Sequence, residues 1–179
     1  MDSIKQQQAE KNHQDLQGAA AIAQLRHMVE DMHNCFFCTR PGMNRQFEPR
    51  PMNVRHVDEA GNLWFLSSDD SVKNRELATD AEVELFFQGG RQTCFLHLSG
   101  IATVLRDRAR IEQLWSPLLN TWFTAGKDDP RLTVIKVAPT AGYYWDHKHG
   151  DLVAGAKMMI GAALGKTLDD TIEGHLKPH

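Results

Sequence analysis

Hydrophobic and polar positions along the chain alternate with two different periods, and the changes of period mark the elements. Residues 131–137, RLTVIKV, alternate between polar and apolar apart from the adjacent Val134 and Ile135, which is the pattern of a half-buried β-strand. The segments NCFFC, LWFLSS, EVELFF, TCFLHLSGIATVL and TAGYYWDHK are short apolar runs bounded by turn residues, and each reads as a strand. Gly61 and the pair Gly89-Gly90 place tight turns between neighbouring strands, and Gly100 predicts a bend in the longest one. Helical spacing occurs at four places. Leu16, Ala19, Ala20, Ala23, His27 and Met28 recur along residues 16–33. Residues 69–80 begin with acidic capping residues and read as a short helix. Residues 107–123 form a third helix, broken or kinked at Pro117. Residues 151–168 form a fourth at the C-terminal end. The expectation is about six strands, mostly in antiparallel hairpins, with flanking helices. A sheet of this kind removes its edges by closing into a small β-barrel. Residues 1–16 are polar and Gln-rich and read as a flexible extension, residues 17–150 as the barrel, and residues 151–179 as a C-terminal helix and tail packed on it.

One strand departs from the pattern. In FEPRPMNVRH, Phe47, Met52, Val54 and Val57 have strand character, but Pro49 and Pro51 interrupt it. Proline has no N–H to give to a sheet ladder. Either this is an edge or bulged strand, or its backbone binds something other than another strand.

Composition narrows the class. The 179 residues suffice for one domain with one core. A formal net charge of −3 offers no basic face for nucleic acid. Three cysteines, Cys35, Cys38 and Cys94, are too few and of the wrong parity for a disulfide scaffold. The N-terminal residues lack the apolar core of a signal peptide, and no apolar run approaches the ~20 residues needed to span a bilayer. A cytoplasmic protein is expected.

Several motifs fail on context. GAALGKT (161–167) is one residue short of a phosphate-binding P-loop and follows no strand. Cys35 and Cys38 on one strand point to opposite faces, so CFFC does not chelate one ion. His147 and His149 in DHKHGD read as a solvated strand end. No nucleophile, zinc or dinucleotide motif is present, and no catalytic acid or base can be named.

Two pieces remain. Around Arg50, Pro51, Met52 and Asn53, regular pairing fails and backbone groups are left to be satisfied by a ligand. A flat heteroaromatic edge with alternating donors and acceptors, such as the pyrimidine edge of a flavin, would satisfy them. Shortly afterwards comes LSSDDSVKNREL. Its Ser67, Ser68 and Ser71 offer hydroxyls at a helix start, and Lys73 adds a point charge suited to phosphate.

The order of RPMNVR, WFLSS and SVKNREL, then W-x6-WF before DPRLTVIKV and the late YYW, resembles the pyridoxamine 5′-phosphate oxidase-like, FMN-binding split-barrel family, in particular its bacterial general stress protein branch. The similarity runs from about Gln24 to Lys148. It implies a homodimer with FMN in a cleft between subunits. It implies that Arg50, Pro51, Met52 and Asn53 line the flavin ring, with Arg50 placing positive charge near it. Leu66 and Ser67 match the next flavin-contacting strand, and Ser71 and Lys73 the phosphate positions. Trp145 matches an aromatic residue lent by the partner subunit, and Trp122 is a further candidate for the cleft. Two departures stand out. The oxidases read Ser-Arg-Lys where this chain has Ser71-Val72-Lys73, and an Arg–His pair after the tryptophan where this chain has DHKHGD. The substrate site of the oxidases is therefore altered. The resemblance implies an FMN-dependent oxidoreductase of unknown small-molecule substrate, or a flavin-binding stress protein that stores or senses without turnover. A cofactor-free structural dimer is the third reading. FMN, FAD and a deazaflavin share a ring edge and a phosphate, so these residues do not choose among them.

Overall fold

The computed structural model describes residues 12–40, 48–89, 94–147 and 171–179. The P-loop-like segment, the Gly-Gly turn residues from Gly90 onwards, His149 and the expected helix at 151–168 lie outside the described residues.

Nine strands are seen among the described residues: β1 (Leu16–Gln17), β2 (Asn34–Thr39), β3 (Glu48–Asn53), β4 (His56–Val57), β5 (Leu63–Ser68), β6 (Glu82–Gln88), β7 (Phe95–Leu105), β8 (Leu132–His147) and β9 (Thr171–Lys177). Three α-helices accompany them: α1 (Gly18–Met32), α2 (Val72–Leu77) and α3 (Arg108–Leu114). The antiparallel path β5–β8–β7–β6–β2–β3 is the expected six-stranded split barrel, and β1, β4 and β9 are additions to it.

The split lies between β3 and β5, and a short corner makes it. The Val54 N–H still donates to the His33 carbonyl at 2.8 Å, on the β2 side. One residue later, the Arg55 N–H donates to the Trp64 carbonyl of β5, also at 2.8 Å. The chain thus changes partner between two consecutive residues. Arg55 holds the corner, its Nε donating to the Leu114 carbonyl at the end of α3 and a terminal nitrogen to Asn53 Oδ1. α1 ends beside it, with His33 at a positive φ of 55°.

β8 is one strand of sixteen residues where the sequence suggests two. It pairs with β7 along its length, while its other edge takes β5 first and β9 afterwards. Pro139 is tolerated because the register slips beside it, between Ser99 and Gly100. A side chain at Gly100 would come within 2.8 Å of the Ala138 carbonyl oxygen, so the expected bend is also a point of close backbone approach.

Phe37, Leu63, Phe65, Leu85, Leu98, Ile135 and Val137 fill the barrel at 0% exposure. α1 covers one end with Ala21, Leu25, Met28, Val29 and Met32. The helix is where the sequence places it, but Ala19, Ala20, Ala23 and His27 face solvent. Small alanines gave the helical spacing without marking the core face. Trp64, Leu66, Ile111, Leu114 and Phe123 form a second cluster beneath α3. Pro117 does end that helix and starts a 3-10 turn over Pro117–Thr121.

Both ends of the described chain differ from the sequence expectation. Residues 12–17 are not part of a flexible extension. Asn12 is buried, and β1 pairs in parallel with β9 through Leu16 opposite Leu176. The tail at 171–177 is a strand on β8. Gly174 weakens its strand signal, yet a Cβ there would overlap the Gln14 carbonyl, so the close approach requires glycine.

Candidate functional site

The two prolines of β3 have the same parity. Because the Val54 N–H points toward β2, alternation turns those of Met52 and Arg50 the same way and the nitrogens of Pro49 and Pro51 outward. β3 ends the path of described strands, so the missing donors fall on its outer edge. That edge keeps the carbonyls of Pro49, Pro51 and Asn53 but has a donor only at Asn53. This is the edge-strand reading of the prolines. It also makes an acceptor-rich rim that a ligand can meet.

Side chains of β3 alternate across the sheet. Arg50 and Met52 turn inward, and Met52 packs on the main core. Arg50 NH1 donates to Thr39 Oγ1 at 2.6 Å and to the Glu48 carbonyl at 3.1 Å. Its NH2 meets Glu48 Oε2 at 2.7 Å and Glu76 Oε2 at 2.9 Å. Asn53 is occupied at the other end, donating to Asn34 Oδ1 at 3.1 Å.

α2 closes this mouth of the barrel. Ser71 caps it, its Oγ accepting from the Asn74 N–H at 3.3 Å. The helix has six residues, too few for its N-terminus to serve as an anion site alone, so the polar side chains carry that role. Ser67, 2% exposed, donates to Asn74 Oδ1 at 2.8 Å and lies 3.4 Å from Ser71 Oγ. Asn74 Nδ2 donates to Thr133 Oγ1 at 2.9 Å, and Thr133 donates to the Ser67 carbonyl at 3.2 Å. Asn74 thus holds both serines in place, a role the sequence did not reveal. Asn74→Ala removes two side-chain bonds of a buried network and is expected to cost about 1–3 kcal/mol. A thermal midpoint unchanged from wild type would show the network to be dispensable.

Lys73 is the distinctive group. It is half-buried and, among the described residues, its ammonium has no hydrogen-bond or ion-pair partner. Burial pushes its pKa below the usual lysine range, Arg50 adds repulsion, and Asp70 partly offsets both. A half-buried ammonium without a partner is chemically suited to an anion.

The other candidate residues fall in three places. Ser68 donates to Asp70 at the turn into α2. The Leu66 side chain belongs to the second cluster, on the opposite face of β5 from Ser67. Pro51 and Trp145 lie together on the outside of the barrel. They line a concavity of about 860 Å³ with Phe36, Phe86, Phe95 and His97. Trp145 packs on Tyr143 at 4.5 Å, and His97 stacks on Phe86 at 4.8 Å while paired with Glu84 at 2.7 Å. Trp122 is 68% exposed beyond the 3-10 turn and is not brought to Arg50, Lys73 or Trp145 within one chain.

Cys35 and Cys38 are on opposite faces, and none of the three cysteines forms a disulfide. Burial pushes the Cys35 thiol up to about 12. Among the described residues no group of three or more His, Cys, Asp or Glu could hold a metal ion, and no helix is long and apolar enough to cross a membrane.

The family model for pyridoxamine 5′-phosphate oxidase-like proteins matches residues 20–169. The chain belongs to this family. The family match takes in all but the first two residues of α1 and every element from β2 to β8, and with them the whole candidate site. Protein bli-3 of Neurospora crassa is 26% identical over 115 residues, 59% of this chain and 55% of that protein. The chain thus matches about half the length of this curated relative. Among solved structures, one described as a general stress protein 26 from a Jannaschia species aligns with a TM-score of 0.72 at 18% identity, over 87% of this chain and 96% of that one. The general stress protein 26 of Bacillus anthracis gives 0.61 at 18% identity, over 69% and 92%. The general stress FMN/FAD binding protein of Xanthomonas citri gives 0.58 at 22% identity, over 70% and 87%. At these identities the likeness is one of fold.

Proposed function

We propose that the protein is an FMN-binding split-barrel protein that works as a homodimer and as an oxidoreductase on a small molecule, in the general stress branch of its family. The observation that carries the reading is Lys73, a half-buried ammonium with no partner among the described residues, on the short helix that Ser71 caps. A terminal phosphate monoester supplies the missing anion and hydrogen-bond acceptors. The acceptor-rich outer edge of β3 suits the N–H-bearing rim of an isoalloxazine. A bound flavin would supply the electron-transfer chemistry, and the chain's contribution is to hold and orient it.

The dimer is supported by the outer face of the barrel. Phe36, Phe86 and Phe95 are 57%, 47% and 39% exposed and share one concavity with Pro51 and Trp145. Such an apolar patch is costly to leave in water, and a second copy of the chain would cover it. That arrangement would also bring Trp145 to the partner's flavin.

The test is a visible absorption and fluorescence titration of the purified, flavin-depleted protein with FMN and then FAD. About one flavin per chain is expected, from the single Lys73 cluster. No saturable binding of either would overturn the reading. A steady-state assay with NAD(P)H and electron acceptors then separates an oxidoreductase from a protein that only stores or senses flavin.

A further inference from the structure

We propose that Cys94 is the protein's reactive thiol: beside His147 and Asp146 of β8, it forms mixed disulfides with small disulfide compounds. The proposal stands independently of the flavin reading, since none of these three side chains lines the concavity or belongs to the Lys73 cluster.

The three cysteines stand in different surroundings. Cys35 and Cys38 lie on β2 at 5% exposure, and burial pushes both thiols up. Cys94, just before β7, is only partly buried. Its thiol has two acceptors, Asp146 Oδ1 at 3.4 Å and His147 Nδ1 at 3.9 Å. The carboxylate between them is held from two sides. Asp146 Oδ2 accepts from Gln24 Nε2 of α1 at 2.7 Å, and Oδ1 accepts from the His147 N–H at 2.8 Å. The pairing of Phe95 with Trp145 sets the register that brings Cys94 beside Asp146. A nucleophile, an imidazole and a carboxylate thus meet where β7 begins and β8 ends, braced by α1. His147, which reads in the sequence as part of a solvated strand end, is half-buried at the thiol.

The thiolate is the attacking form of a cysteine. The His147 imidazole accepts the thiol proton at Nδ1 and, once protonated there, donates back to the sulfur, which favours the thiolate. Asp146 acts the other way, because a second negative charge 3.4 Å from the sulfur disfavours the thiolate. Of the other elements packed here, α1 presents the neutral Gln24, and the end of β6 presents Gly89, where a side chain would come within 3.1 Å of Cys94 Cβ. In the exchange, the Cys94 sulfur attacks one sulfur of a small disulfide. A new S–S bond forms, the old one breaks, and the departing half leaves with the electron pair as a thiolate that takes up a proton. Cys94 is oxidised and the departing half is reduced, so the small disulfide is itself the oxidant.

The test uses the full chain, reduced and then freed of reductant. It is mixed with dithiobis-nitrobenzoate, whose released thiolate is coloured, and separately with glutathione disulfide, with adducts located by peptide mass spectrometry. One thiol is expected to react roughly 10-fold or more faster than the other two, and to map to Cys94. Glutathione disulfide is expected to leave a single adduct per chain, absent in Cys94→Ser and removed by a dithiol. Cys35 or Cys38 reacting first, or together with Cys94, overturns the proposal. In His147→Gln the Cys94 rate near neutral pH is expected to fall roughly 3-fold or more, with its rise displaced to higher pH. A rate–pH profile unchanged from wild type would show exposure alone at work and overturn the role of His147. Asp146→Asn is expected to move the profile to lower pH. If His147→Gln does not fold, this second variant decides, and an unchanged or slower reaction counts against the cluster.

Discussion

Lys73→Met is expected to weaken FMN binding by roughly 10- to 100-fold, since charge-assisted hydrogen bonds contribute ~1.5–3 kcal/mol and each 1.4 kcal/mol is tenfold. Riboflavin binding is expected to change little. The ammonium is half-buried and lacks a partner among the described residues, so the ligand-free fold bears its desolvation cost. That gives the same substitution a second, opposite effect: the ligand-free variant should be at least as stable as wild type near neutral pH. The direction follows from the lowered pKa. A lysine whose pKa falls on folding destabilises the fold wherever it is protonated in both states, and the cost disappears as pH rises past its unfolded value. An anion reverses this preference, so FMN affinity should fall as pH rises through the lowered Lys73 pKa, below the ordinary lysine range. Isothermal titration of both ligands, with thermal melts of the ligand-free proteins, reads all three effects. Equal losses for FMN and riboflavin would place the phosphate elsewhere.

Phe65→Ala should be the most damaging single truncation, at about 3–5 kcal/mol. Phe65 and Phe37 are both at 0% exposure and meet edge to face, with ring centroids 5.3 Å apart. They join β5 to β2 through the barrel interior, across the split, where no ladder joins β3 to β5 among the described residues. The loss is therefore expected to loosen the mouth where Arg50 and α2 sit as well as to leave a cavity. Leu118→Ala, at 80% exposure, is the matched control and should stay within about 0.5 kcal/mol. Urea unfolding compares them, and similar midpoints would contradict the core assignment.

The sequence showed most of the barrel because its strands are short apolar runs with turn residues between them. β2, β5 and β6 lie where those runs lie. The short helix after residues 69–71 was legible for the same local reason, although its cap is Ser71 rather than an acidic residue. Features that depend on distant partners were not legible. TAGYYWDHK and RLTVIKV are one strand because Gly100, on another strand, makes room for Pro139. β9 carries a glycine that looks like a weak strand until Gln14 is placed against it. At the site, Arg50 read as charge offered to a ring, but Glu48 and Glu76 compensate that charge, and Glu76 stands 26 residues further along the chain. Asn74 looked like an ordinary helical position because its partners Ser67 and Thr133 come together only in the folded barrel. The one available signal was its place three residues after a capping serine, where a polar side chain can turn back toward the mouth.

The parallel pairing of β1 with β9 fixes an order of events during synthesis. Asp15 accepts a hydrogen bond from the His175 N–H, a partner 160 residues downstream. At ~5–20 residues per second, the ribosome takes roughly 8–30 s to make that partner. During this interval α1 and the strands from β2 to β8 can assemble as each emerges, while β1 waits, and once β8 is made its lower half lacks its second neighbour. The nascent chain therefore carries an open sheet edge at Tyr143–Trp145 until β9 emerges, and that edge is where a chaperone, or a neighbouring unfinished chain, has its opportunity to bind.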